Sequence, residues 1–313
     1  MTALAIIGLG GIAQKAYLPL LGARSDLKLL VCARSAESVA RVEAQYRLSG
    51  GSPRLEDILA AGPRAALVLS STETHFPIAE RLLEAGIDVF LEKPAALRAE
   101  QTRRLAELAE ARGRILMVGF NRRFAPLHVQ ARQAWQARRP GLAVFQKVRA
   151  GSHYANMAQQ FIDDAIHQVD ILRFFCGDGQ VCAAIQQTGA DGFKQAICTV
   201  ALAGGGLAQV AVCTHGGRWS ETYQMHGEGA SLRIDAFEQV ALQADGREER
   251  WQEPYASAWR GIPAARGFAA QVEHFLACVE TREQPASDGW EAFKTQTLLE
   301  DMLRMAGGGL ETL

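Results

Sequence analysis

No stretch of this 313-residue chain approaches the roughly 18 consecutive apolar residues that a membrane-spanning helix requires. The first 21 residues carry no basic leader, and Gly8, Gly10 and Gly11 break their apolar run, so they do not read as a signal peptide. Charge of one sign is also missing: 33 Lys and Arg face 34 Asp and Glu, for a formal net charge of −1. With no field of one sign, nothing recruits nucleic acid or an anionic membrane, and the expected partner is a small molecule. Lysine is scarce, at 6 of the 33 cations, which makes each one conspicuous. The six cysteines show no Cys-x-x-Cys spacing and sit mostly in apolar runs such as 209–213. They read as buried free thiols, with no disulfides and no metal site, in a cytoplasmic protein. What is present is apolar residue, 48% of the chain, enough for about two domains with their own cores.

Up to about residue 120, short apolar runs at 4–8, 29–33, 66–69, 89–91 and 115–118 alternate with helical patterns at 12–22, 36–46, 55–60, 76–84 and 97–112. Gly22, Gly62, Gly86 and Gly113 stand where these helices should stop. Alternation of this kind predicts a doubly wound parallel sheet, because parallel neighbours need crossover helices. After a helical stretch at 123–138 the grammar changes at Pro140-Gly141. Strand patterns then dominate (142–149, 181–187, 196–202, 207–213, 222–226, 231–235, 239–243), with helices only at 160–175, 268–281 and 290–305. Gly-rich turns between the strands predict a mainly antiparallel, open sheet. The expected fold is α/β, with an N-terminal doubly wound domain over 1–121 and a C-terminal α+β domain over 122–313. Alternating apolar residues such as Val210 and Val212 predict a sheet face that helices cannot cover on both sides, hence a homodimer or homotetramer.

Gly8-Leu9-Gly10-Gly11-Ile12-Ala13 follows the first strand and opens the first helix in the form G-x-G-x-x-A. In that context it reads as a dinucleotide fingerprint: Gly8 for the tight turn, Gly10 for close approach of a pyrophosphate, and the helix-start N–H groups for its charge. The second strand ends Cys32-Ala33-Arg34-Ser35, where a cofactor with a free 2′-hydroxyl would meet a carboxylate. A guanidinium and a hydroxyl suit a 2′-phosphate instead, so NADP is expected, with NAD the alternative.

Glu92-Lys93-Pro94 ends the fifth strand, at the sheet edge where ligands bind in such folds. Lys93 there is suited to bonding a substrate hydroxyl, although an isolated pair of this kind also reads as a solvated loop start. Asp163, His167 and Asp170 fall at i, i+4 and i+7 and share about 60° of one helical face. A His beside a carboxylate is what proton transfer to or from an alcohol needs, and an ordinary amphipathic helix is the other reading. Ser70, Thr72 and His75 after the fourth strand, and Asn121 after the sixth, occupy the same sheet edge.

These separated motifs, in order, resemble those of the Gfo/Idh/MocA oxidoreductases: the Gly-rich first turn, the hydroxyl-rich turn ending in His75, Glu92-Lys93-Pro94, and Asp163 with His167 and Asp170 in D-x-G-x-H-x-x-D. Ala165 stands where that pattern has Gly. The segments 8–16 and 118–127 are similar to the family's MviM-type branch. The resemblance implies a Rossmann domain, a second domain with a largely antiparallel open sheet, and a nicotinamide cofactor. The family's catalytic lysine, aspartate and histidine map onto Lys93, Asp163 and His167, with His167 as acid/base. Cofactor contacts are expected from Gly8, Gly10, Gly11, Ile12, Ala13, Arg34, Ser35, Ser70, Thr72, His75, Glu92, Lys93 and Asn121. The activity implied is hydride transfer between the cofactor and a hydroxyl or carbonyl of a sugar, polyol or similar compound. Glycoside cleavage through transient oxidation, and cofactor binding without chemistry, are the alternatives.

Overall fold

A computed structural model describes residues 2–48, 50–135, 138–252 and 261–310. Strands β1 (Thr2–Ile7), β2 (Leu27–Cys32), β3 (Gly51–Ser52), β4 (Ala65–Val68), β5 (Asp88–Leu91) and β6 (Leu116–Val118) form one sheet in the order β3-β2-β1-β4-β5-β6. All its pairings are parallel. Every residue of β4, and every residue of β5, is buried. That is the mark of a parallel sheet covered by helices on both faces, and it explains why these strands are continuous apolar runs. Gly62, Gly86 and Gly113 take left-handed backbone at their helix ends, whereas Gly22 remains right-handed.

The second sheet holds β7 (Leu142–Val148), β8 (Gly179–Gly189), β9 (Gly192–Leu202), β10 (Leu207–Cys213), β11 (Ser220–Gly227), β12 (Ala230–Asp235), β13 (Gln239–Ala244) and β14 (Arg247–Gln252). Its order is β14-β13-β12-β11-β7-β10-β9-β8, antiparallel except for the parallel pair β7 and β10. β14 lies outside the expected strands because its sequence, Arg-Glu-Glu-Arg-Trp-Gln, has no apolar alternation to betray it. One expectation is corrected: Val210 and Val212 are buried, on the face that the helix Ile166–Cys176 covers. The uncovered face instead carries Ile185 and Ile197, which are 66% and 46% exposed and pair with each other in register, with Ala211 and then Gln146 continuing the row.

The chain falls into two compact units, Met1–Phe120 with Phe268–Phe293, and Asn121–Gly267 with Lys294–Leu313. The single break expected after residue 121 is therefore incomplete. The returning stretch completes the first unit through specific bonds: Gln271 Nε2 donates to the Tyr17 hydroxyl at 2.8 Å, Arg282 pairs with Asp88, and Ser287 Oγ donates to the Val118 carbonyl at 2.8 Å. Phe275 packs edge-on against Phe90. Among the described residues no helix is long and apolar enough to cross a membrane.

Candidate active site

In the first unit a cavity of about 900 Å³ opens at the carboxyl ends of β1, β2 and β4. Gly8 sits at φ +95°, and a Cβ there would fall 2.4 Å from the Ser70 amide nitrogen, so only glycine can make this turn. Gly10 and Gly11 face open space, with no atom within 4 Å of where their Cβ atoms would be. This is a backbone cradle that a dinucleotide's phosphates fit. A five-residue π-helical turn, Ala13–Tyr17, continues from it. Gly8, Gly10, Gly11, Ile12, Arg34, Ser35 and Ser70 all line the cavity, with Ser71 and Thr74 of the same hydroxyl-rich turn, and Ser38 and Arg41 join them without having been singled out in the sequence. Ser35 Oγ caps the helix Ala36–Tyr46 by accepting from the Ser38 amide.

Five other expected contacts in this unit, Ala13, Thr72, His75, Glu92 and Lys93, lie outside the cavity's lining. Ala13 is fully buried, and Thr72 is the first residue of the helix Thr72–Glu84. The buried His75 ring lies between two carbonyl oxygens, that of Pro94 at 2.8 Å and that of Ser70 at 3.0 Å, and so clips the β4 turn to the Glu92-Lys93-Pro94 segment. Burial lowers its pKa against the opposing pull of those carbonyls. Glu92 is buried: one oxygen accepts from the Tyr17 hydroxyl at 2.5 Å, the other from the backbone N–H of Lys93 at 2.9 Å. Burial, and then the Glu92 charge, push the Tyr17 hydroxyl well above its usual pKa. Glu92 thus positions Lys93, which is half-buried and joined to Pro94 by a cis peptide bond.

In the second unit a π-helical turn, Phe161–Ala165, runs directly into the helix Ile166–Cys176. Asp163 lies within the wider turn, and His167 and Asp170 lie on the helix that follows it. Asp163 is exposed and accepts from the Tyr154 hydroxyl at 3.0 Å; His167 is 9% exposed. Asp170 is buried in a two-pronged bond from Arg123 and accepts from Thr295 Oγ1, so its role is structural. Asn121 also belongs to this unit: its Nδ2 donates to the Arg266 carbonyl at 2.7 Å.

Next to Asp163 lies the larger surprise. Lys147 Nζ bridges Asp164 (2.5 Å) and Glu221 (2.9 Å), Arg149 Nε donates to Asp164 at 2.8 Å, and Arg122 Nε and the Tyr223 hydroxyl each donate to Glu221 at 2.8 Å. Burial alone would raise the Glu221 carboxyl, but Arg122 and Lys147 more than offset it and hold it well below the usual range. Burial likewise lowers the Lys147 ammonium despite both carboxylates. One signal could have revealed this network: β7 alternates inward, and Lys147 falls in phase with Ala143 and Phe145.

Residues 2–120 match the model of the oxidoreductase family with an NAD-binding Rossmann fold, GFO_IDH_MocA. A solved structure, the MviM dehydrogenase from Clostridium difficile, superposes with a TM-score of 0.88 at 25% identity, over 97% of this chain and 99% of that one. Over residues 2–120 the chain belongs to the Gfo/Idh/MocA oxidoreductases. Over its length this oxidoreductase is also similar to YceM of Salmonella typhimurium, 29% identical across 96% of this chain and 97% of that protein. Inositol 2-dehydrogenase of Rhizobium meliloti is 24% identical across 96% and 95%.

Proposed function

We propose that this oxidoreductase transfers hydride between NADP and a hydroxyl-bearing or carbonyl carbon of a sugar, polyol or similar small polar compound. The observation that carries the reading is the cavity on the glycine cradle, with Arg34, Ser35, Ser38 and Arg41 in its lining and, among the described residues, no carboxylate there. Kinship with inositol 2-dehydrogenase supports the substrate class. When bound, the nicotinamide supplies the hydride acceptor. In the oxidative direction His167 takes the hydroxyl proton as the carbon's hydrogen leaves as hydride and the carbonyl forms. Lys93 stabilises the negative charge developing on that oxygen, and Asp163 orients the reacting groups. Besides its substrate, the partners in this reading are further copies of the same chain.

Lys93→Met and His167→Asn should each lower the single-turnover hydride-transfer rate by about 10²- to 10⁴-fold. NADPH affinity, set by the cradle, should change less than about tenfold. A His167→Asn enzyme that transfers hydride at the wild-type rate would remove His167 from this role.

A further inference from the structure

Among the described residues of the second unit, four cations, Arg122, Lys147, Arg149 and Arg266, gather around two carboxylates. Glu221 is shared by Arg122 and Lys147, and Asp164 by Lys147 and Arg149. Among the described residues Arg266 pairs with no carboxylate. Its guanidinium carbon lies 5.2 Å from the Trp219 ring centroid and 5.3 Å from that of Phe237. Contact with aromatic faces holds a guanidinium plane while leaving its edge N–H groups to donate.

The backbone beneath Arg266 is fixed as firmly as the side chain. Asn121 holds its carbonyl, and Gly267, at φ +84°, brings the chain so close that a Cβ would fall 2.2 Å from the Asn121 oxygen. Burial depresses the Arg266 pKa, and repulsion from Arg122 and Arg149 adds to this against the attraction of Glu221. A half-buried cation with no carboxylate in ion-pair contact is costly, and a ligand that brings the charge removes the cost. Arg149, itself a third exposed, stands at the same cluster.

We propose that Arg266, with Arg149, binds an oxyanion carried by the substrate, either a carboxylate or a phosphate, so that the preferred substrate is an acidic sugar derivative and not a neutral polyol. The proposal rests on the hydride-transfer reading for the reaction and on the second unit alone for the anion.

Initial rates with D-glucuronate, glucose 6-phosphate, glucose and myo-inositol test it, with inorganic phosphate as a competitor. One of the two acidic compounds should exceed both neutral ones in kcat/KM by at least about tenfold, and which of the two it is tells carboxylate from phosphate. Arg266→Gln should raise the KM for that compound by about ten- to a hundredfold with kcat and NADPH affinity held, and Arg266→Lys should recover part of the loss. Preference for the neutral compounds, or equal discrimination in wild type and Arg266→Gln, would overturn the proposal. If no compound is oxidised, calorimetry with glucuronate and with phosphate separates the two readings. Heat of binding lost in Arg266→Gln upholds the anion site while the hydride-transfer reading fails, and no heat in wild type overturns the site.

Discussion

Arg34 stands just past β2, exposed, at the corner of the nucleotide cavity where a free 2′-hydroxyl would call for a carboxylate. If it pairs with a 2′-phosphate, Arg34→Ala should weaken NADPH binding by about 10- to 150-fold and leave NADH binding nearly unchanged. Fluorescence titration of both reduced cofactors reads this directly. Equal losses, or a wild-type preference for NADH, would exclude the assignment. At this scale the sequence was legible where backbone geometry dictates the residue, as at Gly8, and less so where direction matters. A His at the end of a hydroxyl-rich turn can face a ligand or clip a loop, and only the positions of the Ser70 and Pro94 carbonyls show that His75 clips.

Among the elements, the strand β7 is unusual in carrying a charge inward, and the cross-strand pairing of Lys147 with Glu221 makes that tolerable. Removing one partner strands the other, so Glu221→Gln should cost about 3 to 5 kcal/mol in urea denaturation. The network also sets an acid limit. Asp164 and Glu221 are both held below their ordinary values of 3.8 and 4.5, so the stability they confer is complete above that range and drains away as pH falls through it toward the folded pKa values. Urea midpoints should therefore drop steeply below about pH 4.5 in the wild type and less steeply in Glu221→Gln. A wild-type midpoint that stays level down to about pH 3 would show that the pairs contribute nothing. The helices and strands themselves were mostly legible, since period two and period 3.6 differ plainly over long runs. The π-helical turn before His167 was not, because one extra residue in a turn leaves no compositional trace.

For the molecule as a whole, the row of Ile185, Ile197 and Ala211 on the open face of the second sheet is apolar surface awaiting cover, and we infer that another copy of the chain supplies it. Light scattering should give a mass that is a multiple of 33.9 kDa, and Ile185→Glu with Ile197→Glu should reduce it to one chain. A single-chain mass for the wild type at every concentration would sink the idea. Domain order was legible from the change in grammar near residue 140, but the return of Phe268–Phe293 to the first unit was not. An amphipathic helix announces that it needs a partner, never which one. That return has a consequence for inheritance. The nucleotide-binding half is written in two stretches of coding sequence, and a fragment ending at Phe120 would leave Asp88 without Arg282 and the Val118 carbonyl without Ser287. Recombination that moved this half into another gene would have to cut the sequence after residues 120, 267 and 293 together.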